Sequence, residues 1–360
     1  MLRSVVLGVS DFDALVPIAQ AAEAAGYYRV WTTEGVERDA IVRAAAIAAA
    51  TDRIEVATGI AYAFTRSPLA AAAAAADVNQ LAGGRFALGL GAGTRGLRRR
   101  YGVEWEHPAP QFAEYAELIK LAFDPDAPDS YTGRFYQAEF AQLHRRAAAG
   151  EPRPKVYGSG VNQVMLTYCA AACDGVAVHS LATAPGYFED VVLPALREGA
   201  RRGGSVPDLA CWVIACVAED SETAVRQARR QLAFYFSTPS YRTVAEAAGW
   251  AAHAEVIRDR AKQAQYKDWD QVADAVPDEM VQSLAIAGTP AEVSAQLGAA
   301  QARLEAGGAD ELVLQLVGFG NTWEQVRDQG IELVRSCAPP VSQSASHSAV
   351  SCLCPRESYR

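Results

Sequence analysis

An alternation running the length of the chain constrains its fold more than any other feature. Short apolar, β-branched runs recur, each followed by a stretch with apolar residues at helical spacing. Residues 5–9 form the first run, and a helical pattern follows over 12–26, with Gly26 placed where a left-handed cap suits glycine. Residues 28–32 and 54–60 are the next two runs, separated by a helix over 39–51. Pro68 opens a helix that ends at Leu81 before Gly83 and Gly84, and a fourth run covers 86–90. The pattern resumes with runs at 155–157, 175–179, 209–218 and 311–317, and with helices over 162–172, 187–202, 222–236 and 323–337. Short strands separated by amphipathic helices imply a parallel sheet. Eight of them predict an α/β fold, a closed (β/α)8 TIM barrel.

Two regions break the rhythm. Residues 98–154 hold Tyr131-Thr132-Gly133-Arg134-Phe135-Tyr136, which reads as a hairpin insertion, and residues 239–280 hold extra helices between the seventh and eighth strands. Insertions of this kind build the C-terminal mouth of a barrel, where its site lies. From Pro339 the chain is rich in Ser and Pro and has no period. The expected division is one barrel domain over 1–338 and a disordered tail over 339–360.

Charge and cysteines narrow the function. With 33 basic and 42 acidic residues the net charge is −9 and no basic patch dominates, which argues against a nucleic-acid partner. The Ala-rich stretches 44–50 and 70–76 are too short and too weakly apolar to span a bilayer, and the first residues lack a secretory signal. Seven cysteines, an odd number, fit free thiols and a cytoplasmic protein. Cys169 and Cys173 stand four apart on a helical pattern without further ligands nearby, so they read as core thiols. No His/Asp cluster falls at successive strand ends, so no metal is expected.

Several segments carry a family likeness. They are Leu81-Ala82-Gly83-Gly84-Arg85-Phe86-Ala87-Leu88-Gly89-Leu90-Gly91-Ala92-Gly93; Ala57-Thr58-Gly59-Ile60 with Thr65-Arg66-Ser67-Pro68; Val156-Tyr157-Gly158-Ser159-Gly160 with Cys173-Asp174-Gly175-Val176-Ala177-Val178-His179; and Ala287-Gly288-Thr289-Pro290. In order and spacing they resemble the luciferase-like superfamily, especially its coenzyme F420-dependent branch. The glycines after Leu88, at a strand end, would let a flat ring approach the main chain. Gly158, Ser159 and Gly160 precede a helix whose free N–H groups favour an anion.

The resemblance implies an oxidoreductase that passes a hydride between C5 of F420 and a small organic substrate, an activated alkene, imine or carbonyl. It assigns Gly59, Ile60 and Ala61 to a bulge behind the ring, which in F420-binding relatives contains a non-prolyl cis peptide. Gly91, Gly93, Thr94 and Val178 would also touch the cofactor, and Gly158, Ser159, Gly160 and Val161 its phosphate. Tyr62, Phe64 and Trp212 would face substrate, although Trp212 also suits a core position. Arg98, Arg99 and Arg100 would form a basic rim for the polyglutamate tail. A homodimer is expected by the same likeness.

The chain departs from its relatives in two places. Val161 stands where F420 enzymes tend to have the proline of a Gly-Pro pair. Glu34-Gly35 stands where some relatives have Asp-His, so the imidazole is missing there. Glu34 then reads either as a group that orients the ring or relays a proton, or as a cap for the helix near Asp39. His179, at a strand end, is the candidate proton donor. The alternatives are an FMN-dependent monooxygenase and a non-catalytic partner subunit.

Overall fold

The computed structural model describes residues 1–140, 152–318 and 322–340. Its eight barrel strands are β1 (Leu2–Leu7), β2 (Arg29–Thr32), β3 (Glu55–Thr58), β4 (Phe86–Gly91), β5 (Lys155–Gly160), β6 (Gly175–Val178), β7 (Asp208–Val217) and β8 (Glu311–Leu316). Each pairs in parallel with its successor, and β8 closes the ring on β1. The expected TIM barrel is therefore present, with every strand where the alternation puts it. Residues 341–360 of the expected tail, with Cys352 and Cys354, lie outside the described residues, and the other five cysteines are free and buried. Among the described residues no helix is long and apolar enough to cross a membrane.

The outer ring consists of α1 (Phe12–Ala24), α2 (Ala40–Ala50), α3 (Pro68–Leu81), α4 (Pro108–Phe123), α5 (Gln163–Ala172), α6 (Leu193–Gly203), α7 (Pro290–Ala306) and α8 (Trp323–Ser336). Their starts are chemically marked. The side chains of Asp11, Asp39, Ser67 and Asn162 accept first-turn N–H groups, and Thr289 and Thr322 form capping boxes with Glu292 and Gln325.

Two expectations are corrected. The seventh ring helix is α7, not the helix over 221–236. In α7 the last turn brings Glu305 to the Met1 amino group (2.8 Å), at the end of the barrel opposite the site. The helix Ser221–Phe236 instead follows the outer part of β7, which pairs beyond the rim with Ala285–Gly288. Its last turn brings the Tyr235 ring within 4.7 Å of His179 at the strand ends. The mouth insertion therefore begins at Ser221 and continues through the short helices up to Leu284. The second correction concerns 98–154, which is not all insertion: it contains the ring helix α4. The hairpin itself, Ser130–Thr132 against Gln137–Glu139, is present, and Glu114 of α4 pins its turn by accepting the N–H groups of Arg134, Phe135 and Tyr136.

The lumen is packed in layers. Val6, Trp31, Ala57, Ala87, Tyr157, Ala177, Ala210, Trp212 and Val313 form a cluster separate from the sheet–helix core. Beneath it lies a buried ion pair. Arg29 donates to Glu311 (2.7 Å) and Glu55 (2.6 Å), and Glu311 also accepts the Trp31 indole N–H (2.8 Å). Arg29 and Glu311 are almost wholly buried, so each depends on the other for solvation. Glu311→Leu removes an acceptor from both Arg29 and Trp31. We expect a loss of about 3 kcal/mol or more, measured as a lower urea midpoint at unchanged slope.

Candidate active site

The floor of the site is Trp31. Its ring stands edge-on to Tyr157 (5.3 Å, 90°) and Trp212 (6.4 Å, 64°), and Glu311 holds its indole N–H from below. Above it β3 ends in a bulge. The Gly59 N–H donates to Thr32 O (2.6 Å), and the Gly59–Ile60 peptide is cis, at the strand end where the family likeness places such a bond. Pairing with β4 resumes at Ala61 and Tyr62.

The glycines of this region serve close approach between protein segments. A Cβ on Gly59 would lie 2.6 Å from Trp212 Cζ2 and 3.0 Å from Trp31 Cε3. On Gly89 it would lie 1.9 Å from the Thr58 carbonyl oxygen, and on Gly91 2.2 Å from Ile60 Cδ1. The run after Leu88 thus admits the protein's own bulge, where the sequence suggested an approaching ligand. Gly89→Ala forces backbone apart. We expect destabilisation above the roughly 1–3 kcal/mol typical of overpacking, read by thermal melting.

Glu34 locks the bulge from the side. Its carboxylate pairs with Arg66 (3.0 Å) and accepts the Tyr62 N–H (3.3 Å), while its own N–H donates to Ile60 O (3.3 Å). Arg66 also bonds Asp39, and Asp39 caps α2 by accepting from Ile41 and Val42. The expected capping role therefore belongs to Asp39, not to Glu34. Burial raises the Glu34 carboxyl above its ordinary pKa, against the opposing pull of Arg66.

The segment 158–160 is strand, not loop: Ser159 pairs with Gly91 and Gly160 with Val178. Alternation then separates its residues. A Cβ on Gly158 would meet Cys169 (2.7 Å) and one on Gly160 would meet Met165 (2.6 Å), so both glycines let α5 pack close. Ser159 shares the face of Tyr157 and looks into the lumen. The turn is Val161–Asn162; Val161 O accepts the Tyr187 hydroxyl, and Asn162 caps Met165 N–H. That leaves the first-turn amides of Gln163 and Val164 without an intrahelical acceptor. The Val178 side chain is buried in the sheet–helix core, so only its backbone faces the strand ends.

The remaining expected residues divide. Thr94 caps the short helix Arg95–Tyr101, and Gly93 precedes it with φ +71°. Arg98 is tied to Glu104 and the Trp105 carbonyl, while Arg99 and Arg100 are exposed. Tyr62 lies edge-on to Tyr101 (5.7 Å) beside the bulge. Phe64 packs on Trp105 and Tyr115, filling the space over α4.

The opposite wall centres on His179. Nδ1 accepts the Leu181 N–H (3.2 Å), and Nε2 lies 3.2 Å from Tyr241 Oη. The ring stacks on Tyr241 (4.9 Å, 29°) and meets Tyr235 edge-on. Trp212 lies near-parallel to it at 6.5 Å. Burial pushes the imidazole pKa down to about 4, so it is neutral at pH 7. Gln315 donates to Tyr235 Oη (2.6 Å) and accepts from Ser180 Oγ (3.0 Å). Burial raises the Tyr241 hydroxyl above its ordinary pKa, and Tyr235 and Tyr62 raise it further.

Sequence reasoning missed Arg66, Tyr235, Tyr241 and Gln315. A signal existed for Gln315, a polar residue in lumen register with Glu311 and Val313. None existed for Tyr235 and Tyr241, which reach the wall through tertiary packing.

A family model described as luciferase-like monooxygenase matches residues 4–307, and the chain belongs to that family. It is 31% identical over 296 residues to an uncharacterized Mycobacterium tuberculosis protein, Rv1360, covering 77% of this chain and 85% of that one. It is 29% identical over 278 residues to the 5,10-methylenetetrahydromethanopterin reductase of Archaeoglobus fulgidus, covering 76% and 81%. In fold it is similar to the coenzyme F420-dependent tetrahydromethanopterin reductase of Methanopyrus kandleri, with TM-score 0.73 and 21% identity over 92% of this chain and 98% of that one.

His179 yields a pH prediction. Its pKa is about 4 in the fold and about 6.5 unfolded. The stability it contributes is complete above pH 6.5 and is lost as pH falls toward 4, where the unfolded chain alone takes the proton. Relative to His179→Gln, the wild type should lose on the order of 3 kcal/mol across that window, measured by urea denaturation at each pH.

Proposed function

We propose that this protein is an F420-dependent oxidoreductase that exchanges a hydride with a small organic substrate. The observation that carries the reading is a floor-and-wall geometry with two orphaned polar atoms. Trp31, the Gly59–Ile60 bulge and Trp212 pack into a largely apolar floor at the strand ends. The Trp212 Nε1 and Thr33 Oγ1 atoms are buried without a hydrogen-bond partner among the described residues. Buried polar atoms of this kind call for a partner. A deazaflavin, apolar across its face and polar along its edge, fits both features. The similarity to the F420-dependent reductases supports the same choice.

The bulge residues Gly59, Ile60 and Ala61 would back the ring, with Gly91, Gly93, Thr94 and the Val178 backbone around it. Ser159 with the amides after Val161 would hold phosphate, Gly158 and Gly160 keeping α5 close enough to aim them. When bound, F420 supplies a two-electron hydride carrier. The protein's part is position and dryness. Glu34 and Arg66 fix the bulge, and Tyr62 and Trp212 line the approach. The His179 wall holds a proton-bearing group opposite the floor.

Titration of the pure protein with F420 and with FMN tests this, followed by quenching of tryptophan fluorescence from Trp31 and Trp212. Micromolar F420 binding without FMN binding is the expected result. Tight FMN binding instead favours a flavin monooxygenase, and binding of neither favours a non-catalytic subunit.

A further inference from the structure

The segment between β4 and α4 crosses the strand ends. It leaves the barrel at Gly91 and forms the short helix Arg95–Tyr101. There it reaches back to the end of β2, where the Tyr101 hydroxyl donates to the Gly35 carbonyl (2.9 Å). Since β3 lies between β2 and β4, the segment passes over the Gly59–Ile60 bulge. It touches the bulge through Tyr62, which meets Tyr101 edge-on and whose own hydroxyl donates to the neighbouring Glu34 carbonyl.

The helix is lightly held. None of its seven residues is buried. Gly93 and Gly102 bracket it, both left-handed at φ +71° and +64°, and a Cβ on Gly102 would meet nothing within 4 Å. Beneath it, among Tyr62, Phe64, Leu97, Tyr101 and Trp105, a space of about 10 Å³ is left unfilled. Thr94 caps the helix, and Arg98 ties it to Glu104 and to the Trp105 carbonyl, all within the same segment. Among the described residues, the bond from Tyr101 to Gly35 is the one hydrogen bond that joins the helix to another part of the barrel. An element with so few buried contacts opens at low cost, and a glycine at each end lets it swing as a unit.

We propose, resting on the F420 reading above, that Arg95–Tyr101 is a hinged lid over the bulge, latched shut by Tyr101 on Gly35, and that the cofactor ring enters and leaves its seat only while the latch is open. The lid turns about Gly93 and Gly102, while Trp105 stays packed on Phe64. Closed, it shields the approach beside Tyr62 from water.

The lid carries its own reporter: Arg95, Arg98, Arg99 and Arg100 are four trypsin sites. A protease cuts such a helix from its opened state, so the cutting rate follows the open population. The test digests the full chain with trypsin, with and without F420, and follows F420 binding by stopped-flow quenching of tryptophan fluorescence. Tyr101→Phe removes the latch, and loss of one hydrogen bond should speed cutting at Arg95–Arg100 roughly two- to tenfold, with the urea midpoint little changed. Bound F420 should slow cutting of the wild type about tenfold or more. In the variant, F420 association and dissociation should both quicken and leave Kd within about threefold of wild type, whereas loss of a mere contact to the ring would change dissociation alone. Three results overturn the proposal: a wild-type cutting rate in Tyr101→Phe, bound F420 that leaves the cutting rate unchanged, or an unchanged association rate in the variant. A wild type that binds no F420 overturns the cofactor reading and the ring's route with it, and the cutting rates then decide whether the lid itself opens.

Discussion

The buried contact between Glu311 and the pair Arg29 and Trp31 is the constraint on which the site depends. One carboxylate ties β8 to β2 over the intervening β1 and fixes the tilt of the Trp31 ring. Everything above inherits that placement. Trp31 meets Gly59 and Gly89, so the bulge sits at a height set by the indole, and Trp212 leans on both. An ion pair at this depth adds little net stability over an apolar substitute. Its value here is geometric, since it gives a large aromatic ring one orientation.

The bulge is over-determined by its neighbours. Thr58 exchanges two hydrogen bonds with Gly89, donating to its carbonyl (2.7 Å) and accepting its N–H (2.9 Å). Glu34 and Arg66 close the other side, and Arg66 ties the assembly to the cap of α2. A site that positions a reactant well needs such supporting bonds around the groups that touch it. Here they come from β3, β4, the segment after β2, the cap of α2 and the segment before α3, all within the first 91 residues.

The fold was legible because a parallel barrel buries both faces of each strand, which makes every strand an apolar run. The ring helices were less so. The sequence does not single out α7, although Thr289-Pro290-Ala291-Glu292 is a capping box with proline at the first helical position, because the preceding helical run at 222–236 already fills the place. α4 was hidden inside a stretch taken for an insertion. For the site, motif position located Gly59, Ile60 and Ser159, but their roles depended on which way each residue points. Strand alternation sends Val178 outward and Ser159 inward, and β5 ends three residues later than the apolar run suggests. His179 is marked by its strand-end position, while Tyr235, in the last turn of the helix Ser221–Phe236, and Tyr241, at the end of the short turn Pro239–Tyr241, reach the mouth by a course that tertiary contacts set.

The two sides of the mouth come from distant parts of the chain. The floor and bulge belong to residues 31–91, whereas Tyr235 and Tyr241 hang from the insertion that starts at Ser221. The insertion leaves and rejoins the barrel between β7 and α7 without supplying a lumen-lining strand. Selection could therefore rewrite that one segment, exchanging the chemistry presented to incoming molecules, while the seat beneath kept its shape. The barrel then works as a fixed socket and the insertion as an interchangeable face-plate, an arrangement by which one scaffold reaches many substrates.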